Sequence, residues 1–411
     1  MSGPRNDILV SRLRLDKEIP RRLSTILKGL IEGGIMTSGK YRGALGACLA
    51  MWLLALSGVA AANNYGLNMP VGVTEISARV YGLHMLIFWI CVIIGVVVFA
   101  VMFYSIFKHR KSLGAKPASF HENTTVEVVW TLIPFLILIG MAIPATRTLI
   151  AMEDTSGSDM TVKVTGYQWK WHYEYIDQDV EFFSNLTTPR EQILGLEEKS
   201  EDYLLEVDNP MVVPAGKRVR ILLTASDVIH AWWVPDLAIK KDAIPGFINE
   251  MWTQIDEPGI YRGQCAELCG RDHAYMPIVV VALEEAAWEA WLNEQRAGQE
   301  TEQALASAEL GFDDLMARGQ RVYESQCAAC HQVNGEGIPN VFPAIRGSAV
   351  ATGSIGAHLD VVIKGAPGTA MAAFGPQLSD VDLAAVITYQ RNAWGNDTGD
   401  VVQPTQVGSA R

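Results

Sequence analysis

The sequence predicts a multidomain chain: an N-terminal two-helix transmembrane hairpin, an all-β sandwich, and a C-terminal all-α domain. Three observations carry this: apolar runs at 83–107 and 128–150, short β-branched and aromatic stretches over 160–285, and a helical pattern from 311 onward. At 411 residues the chain exceeds one comfortable core, so two or three units are expected. An apolar content of 49% with only 19% charged residues is too greasy for a purely soluble protein. The formal net charge of −12 argues against a nucleic-acid partner and suits a basic one.

Residues 1–62 read as a leader and signal peptide. The first 35 residues are weakly basic and unpatterned, and Met36 offers an alternative start. Lys40 and Arg42 then precede an apolar stretch at 44–59 that ends in Ala60-Ala61-Ala62, the layout of a secretory signal. Cys48 in LGAC resembles a lipidation box only superficially, because its apolar run follows the cysteine.

Residues 63–150 form the hairpin. A membrane span needs about 20 residues, and both apolar runs reach that length. Pro134 and Pro144 fall inside the second run, which a membrane helix tolerates when neighbours satisfy the freed carbonyls. The intervening KHRKSLGAKP carries Lys108, His109, Arg110, Lys111 and Lys116. The positive-inside rule puts that loop in the cytoplasm, so both ends of the hairpin face outward.

Residues 151–285 contain MTVKVTGYQWKWHYEY, YLLEVD, MVVPAGKRVRILLTA and IVVVAL, some of them separated by turn residues such as Asp208-Asn209-Pro210. That spacing predicts a β-sandwich or Greek-key barrel. Residues 286–310 are charged and helix-forming and read as a linker. The helical domain is expected over 311–397, with a final amphipathic helix at 379–394 and a tail at 398–411.

Of six cysteines, four form two tight pairs, Cys265/Cys269 and Cys327/Cys330. Pairs flanked by His and Met point to cofactor sites, not to a disulfide framework. In GQCAELCGRDHAYM, His273 and Met276 follow the first pair, and His230 stands upstream in DVIHAWWVP. Thiolate, imidazole and thioether together select copper among common metals. A mononuclear blue-copper centre needs one cysteine fewer, whereas two thiolates can bridge two coppers. Zinc bound by Cys and His, or a Cys265–Cys269 disulfide, are the competing readings.

CAACH is the c-type heme attachment motif: Cys327 and Cys330 add to the vinyl groups and His331 ligates the iron. Met371 is the only methionine after His331, and His358 is the other soft candidate for the sixth position. A Met/His pair raises the heme potential.

The hairpin, the aromatic run, DVIH, KKDAIPG and CAELCGRDHAYM together resemble subunit II of cytochrome c oxidase, the cupredoxin-bearing subunit of heme-copper oxidases. The likeness covers about 83–283, and 311–394 resembles the cytochrome c domain fused to subunit II in a known variant. It implies an electron-input role, with a binuclear copper A centre held by His230, Cys265, Glu267, Cys269, His273 and Met276. Glu267 would give its backbone carbonyl to copper and its carboxylate to a magnesium ion shared with subunit I. Trp169 would be where electrons enter, with Glu174 and Asp227 on an acidic docking face. Glu127 would mark the entrance of a proton pathway into subunit I. Many cytochromes c have proline after the ligand methionine, and Ala372 departs from that.

The expected assembly is a proton-pumping oxidase of a bacterial inner membrane, with the cupredoxin and cytochrome domains periplasmic. Subunits I and III, membrane lipid and a soluble or membrane-bound cytochrome c donor are the implied partners. Two rivals differ in class. Nitrous oxide reductase needs a further His-rich cluster that eight histidines cannot supply. A membrane-tethered copper carrier or sensor would have no use for the heme motif.

Overall fold

The computed structural model describes residues 68–411 apart from 118 and 120. The leader, the signal peptide and Cys48 lie outside the described residues. Helix α1 (Glu75–Lys108) starts at a capping box in which Ser77 N–H donates to Thr74 Oγ1 at 3.0 Å and Thr74 N–H donates to Ser77 Oγ at 2.9 Å. Helix α2 (Thr124–Glu153) contains Pro134 and Pro144, and Thr131 Oγ1 donates to the Glu127 carbonyl at 2.8 Å. Both helices overrun the expected spans, and their outer ends dock on the β domain. Val73 N–H donates to Asp236 O at 3.0 Å, Trp252 Nε1 donates to Ala151 O at 3.1 Å, and Lys241 pairs with Glu153 at 2.7 Å. Both outer ends thus meet the same domain, as the charge of the loop requires. Leu138 is 62% exposed and Phe103 50%, so the hairpin's apolar surface is left for lipid or another subunit.

The sandwich is built from β1 (Met160–Tyr167), β2 (Lys170–Tyr175), β3 (Val180–Ser184), β4 (Met211–Pro214) and β5 (Arg218–Ala225). It continues with β6 (His230–Val234), β7 (Ile239–Ala243), β8 (Asn249–Gln254), β9 (Gly259–Cys265) and β10 (Pro277–Leu283). One sheet runs β3-β2-β1-β5-β8, the other β4-β10-β9-β6-β7. Burial alternates along β5, where Val219, Ile221, Leu223 and Ala225 point inward. They meet Trp171, Tyr173, Trp232 and Val280 in the core.

Two details differ from the expected strands. The run 160–175 is not one strand: it breaks at Gln168-Trp169, and Tyr167 pairs with Lys170 across the hairpin. Residues 203–208 form no strand, because Leu204 has φ 62° and only Val207 bridges, to Leu186.

The segment expected as a linker is helix α4 (Glu285–Ser307), after the single turn α3 (Arg190–Ile193). It is docked at both ends. Trp288 and Leu292 are buried in the sandwich core, where Trp288 stacks on Trp291 and lies tilted against Tyr175. Further along, Glu302 pairs with Arg318 at 2.6 Å and accepts from Ser379 Oγ at 2.7 Å.

The helical domain comprises α5 (Phe312–Gln326), α6 (Ala328–His331), α7 (Ala349–Thr352), α8 (Ile355–Lys364), α9 (Asp380–Asn392) and α10 (Pro404–Ala410). The expected tail is part of this core: Val402 and Val407 are fully buried beside Leu383 and Val386. Helices α5 and α9 cross at Gly319, where an added Cβ would lie 2.1 Å from Ala385 O and 2.7 Å from Tyr389 Cβ. Gly319→Ala is therefore expected to force the crossing apart and destabilise this domain by about 1–3 kcal/mol. A lower urea midpoint for loss of its helical circular dichroism checks this.

Candidate metal centres

Three chain reversals meet at one edge of the sandwich. The β1–β2 turn carries Gln168 and Trp169, residues 226–229 lead into β6 with His230 at its first position, and β9 ends on Cys265. Trp232 pairs with Cys265 across β6 and β9, which brings His230 to the end where the loop 266–276 begins. Gly166 makes room for the imidazole: a Cβ there would lie 2.8 Å from His230 Cδ2.

The six expected positions come together. The Cys265 and Cys269 sulfurs lie 3.8 Å apart as free thiols, so no disulfide joins them. His230 Nδ1 is 4.0 Å from Cys265 Sγ, and His273 Nδ1 is 3.4 Å from Cys269 Sγ. Met276 Sδ lies 3.5 Å from Cys269 Sγ, and the Glu267 carbonyl oxygen 3.4 Å from Cys265 Sγ. The ligand atoms of His230, Cys265 and Cys269 all fall within 4.8 Å of one another and are buried. Each sulfur therefore has its own imidazole, with thioether on one side and carbonyl on the other. The Glu267 side chain is exposed and turned to solvent.

Hydrogen bonds around the ligands set their orientation. His230 Nε2 meets Asp227 Oδ1 at 2.9 Å, which leaves Nδ1 for the sulfurs. Asp227 Oδ2 also accepts Gln168 N–H at 2.7 Å. Trp169 Nε1 donates to Cys269 O at 3.2 Å, Gln168 Nε2 donates to the same oxygen at 2.8 Å, and Trp171 Nε1 donates to Met276 O at 3.3 Å. The expected acidic docking face is not gathered here. Asp227 serves His230, Glu174 is paired with Lys163 at 2.7 Å, and the charges flanking Trp169 are the cations Lys170 and Arg271.

Electrostatics fit a metal between the thiols. Burial and the neighbouring Cys265 push Cys269 up to about 12. Cys265 is held below the usual thiol range: burial opposes ionisation, but His230 and the Glu267 and Ala231 backbones outweigh it. His230 is raised, burial being outweighed by Asp227 and Cys265. Two thiolates this close need added positive charge, which a bound metal ion would supply.

In the helical domain, Cys327 caps the start of α6 and Cys330 lies within it, both as free thiols, and burial pushes Cys327 up to about 12. His331 Nδ1 is 2.8 Å from Pro343 O, so Nε2 is the nitrogen left for iron. Covalent attachment fits such a pair of unbonded cysteines one turn apart. Met371 lies in a loop closed by Ala366 N–H on Met371 O at 3.1 Å. His358 is buried, with Nε2 on Gln390 Oε1 at 2.8 Å and Nδ1 without a partner. Gln390 Nε2 in turn reaches Cys327 Sγ at 3.7 Å. Glu127, in the first turn of α2, is exposed and accepts Asn123 N–H at 3.4 Å.

The two domains touch beside Trp169. Lys170 Nζ donates to Gln326 Oε1 at 2.8 Å, and the Arg271 guanidinium lies 5.8 Å from the Trp169 ring and 5.5 Å from that of Phe342. Sequence reasoning missed Lys170, Arg271, Gly166 and Gln168, for which no spacing signal existed. The role of Asp227 was open to it, since a carboxylate three residues before a ligand histidine is a common outer partner.

Comparison with known proteins agrees with the site. Residues 160–283 match the family model of the cytochrome c oxidase subunit II periplasmic domain, and 62–148 that of its transmembrane domain. Residues 314–389 match the model of cytochrome c oxidase, cbb3-type, subunit III. Cytochrome c oxidase subunit 2 of Cereibacter sphaeroides is 34% identical over 246 residues, covering 57% of this chain and 81% of that protein. The Arabidopsis thaliana subunit 2 is 36% identical over 251 residues, covering 59% and 95%. Among solved structures, the periplasmic domain of subunit II of cytochrome oxidase from Bradyrhizobium japonicum is 39% identical, with a TM-score of 0.32, covering 35% of this chain and 98% of that one. The chain belongs to the cytochrome c oxidase subunit II family, as a two-span membrane protein with a periplasmic domain, a copper A-like His/Cys site and a C-terminal cytochrome c domain.

Proposed function

We propose that the chain is the electron-input subunit of a proton-pumping cytochrome c oxidase in a bacterial inner membrane. It carries electrons from a soluble cytochrome, by way of heme c and a binuclear copper A centre, to the oxygen-reducing subunit I. The observation that carries this reading is the convergence of His230, Cys265, Glu267, Cys269, His273 and Met276 in the same chain as a heme-attachment motif. A copper pair bridged by two thiolates shares one electron over both ions and limits reorganisation on transfer.

The chain's own residues do the rest. Asp227 holds His230, Trp169 hydrogen-bonds the backbone of Cys269, and Pro343 holds His331. Cys327 and Cys330 would anchor the heme on the periplasmic side, and His331 and Met371 would hold its iron. Its rival His358 has Nε2 on Gln390 and would have to offer Nδ1. The exposed Glu267 carboxylate is available for a magnesium ion shared with subunit I. Glu127, at the cytoplasmic end of α2, is available for proton uptake. Subunit III and lipid complete the surroundings of the hairpin.

Copper and pyridine-hemochrome analysis of the purified complex tests the reading. Two coppers and one heme c per chain are expected, with an oxygen-reducing partner copurifying; a single copper with a one-nucleus spectrum overturns it. Met371→Ala is expected to leave heme attached, since Cys327, Cys330 and His331 are untouched, yet lower its potential, because a thioether ligand raises it. Redox titration checks this, and an unchanged potential points to His358.

A further inference from the structure

We propose that Lys170 and Arg271 form a two-point cationic clamp that seats the heme-attachment segment of the cytochrome domain against Trp169. They are thus positioning residues for transfer between the two centres. The inference rests on the functional reading above, in which heme c is the neighbour that serves the copper site.

Lys170 supplies the first point. Lysine is almost never fully buried without a paired charge, yet Lys170 is only 5% exposed, and the groups its ammonium contacts directly are a neutral amide and two aromatic rings. Its ammonium donates to Gln326 Oε1 at 2.8 Å and lies 4.9 Å from the Phe183 ring centre and 5.9 Å from that of Phe374. Gln326 immediately precedes Cys327, and Phe374 follows Met371 by three positions. One cation therefore touches both segments that carry candidate heme ligands. Burial draws Lys170 down to about 8, with Cys327 and Asp208 opposing.

Arg271 supplies the second, from the copper loop between Cys269 and His273. Its Nη2 is 4.0 Å from Cys330 Sγ, while the guanidinium faces Trp169 on one side and Phe342 on the other. Asp272 fixes the plane of the guanidinium through hydrogen bonds of 3.0 and 2.8 Å. Trp169 Nε1 then donates to Cys269 O at 3.2 Å, which completes a line of contacts from a heme-attachment cysteine to a copper-ligand residue. Two separate anchors constrain rotation as well as distance. Helix α4 tethers the cytochrome domain elsewhere, so losing the clamp frees the heme edge without releasing the domain.

The test uses the intact purified oxidase with Lys170→Glu and Arg271→Gln. Hydrogen–deuterium exchange is read at amides 167–171 and 326–331, and heme c to copper transfer is followed after light-triggered reduction of heme c. Both variants are expected to exchange at least about tenfold faster in both segments. Transfer is expected to slow by at least about tenfold, since small misplacements of reacting partners are costly. The copper absorption spectrum should be unchanged and reports that the cupredoxin domain has folded. Where Lys170→Glu loses that spectrum, Lys170→Gln takes its place with the same expected changes. Exchange and transfer within about twofold of the unaltered protein overturn the clamp. If the unaltered oxidase moves no electron from heme c to copper, the functional reading fails instead, and the exchange data still decide the clamp.

Discussion

Replacing Cys269 by serine is expected to abolish the binuclear copper centre and, with it, oxygen consumption. Cys269 Sγ is the atom nearest to most of the other donors: 3.8 Å from Cys265 Sγ, 3.4 Å from His273 Nδ1 and 3.5 Å from Met276 Sδ. A serine hydroxyl is a hard, weakly acidic donor and cannot bridge two soft ions. Losing an outer partner of a metal ligand costs about 10–100-fold in affinity or activity, and losing a bridging ligand should cost more. Elemental analysis should show copper falling below two per chain, and the electron spin resonance signal shared over two nuclei should vanish. Retention of both coppers with that signal would remove Cys269 from the ligand set. The fold should survive, because Cys269 sits in a loop whose β9 and β10 flanks remain paired.

Replacing His331 should abolish turnover with the natural donor while copper A stays reducible by small chemical reductants. The expectation follows from what surrounds Trp169. Gln326, Cys330, Phe342 and Phe374 of the cytochrome domain lie against Lys170 and Arg271, the residue next to Trp169 and the cation 5.8 Å from its ring. A basic cytochrome approaching Trp169 directly would meet two cations and a domain already in place. Without the His331 imidazole, which Pro343 holds in position, the heme iron loses its axial ligand on that side. Oxygen uptake with the donor, set beside stopped-flow reduction of copper by a small reductant, makes the comparison. Turnover that survives means that the donor docks at Trp169 and the cytochrome domain is an accessory.

The parts that could be read without the structure are those whose chemistry is local. A span is defined by composition over about 20 residues, and both hairpin helices are legible that way. The copper loop packs Cys265, Glu267, Cys269, His273 and Met276 between two strands, and the heme motif packs Cys327, Cys330 and His331 into one turn. Short spacing and donor type already limit what such segments can bind. One signal was present and passed over: Trp288, Trp291 and Leu292 recur at helical spacing, and that apolar face is what docks the supposed linker on the sandwich.

The rest depended on register and packing between distant segments. His230 reaches the copper loop only because β6 pairs with β9 at Trp232 and Cys265 and because Gly166 leaves space for its ring. Trp169 looked like a strand residue, but the hairpin register of β1 and β2 puts it in the turn, where its indole can reach Cys269 O. Asp227 looked like a docking charge and proved to be the partner of His230. Residues 398–411 looked like a tail, yet Val402 and Val407 fill the gap beside α9. Local composition determined which metals and membrane this chain can engage. Only tertiary structure decided how the candidate ligands are brought together and what holds them in place, because a contact between residues far apart in the chain is fixed by strand register and close packing, neither of which local spacing encodes.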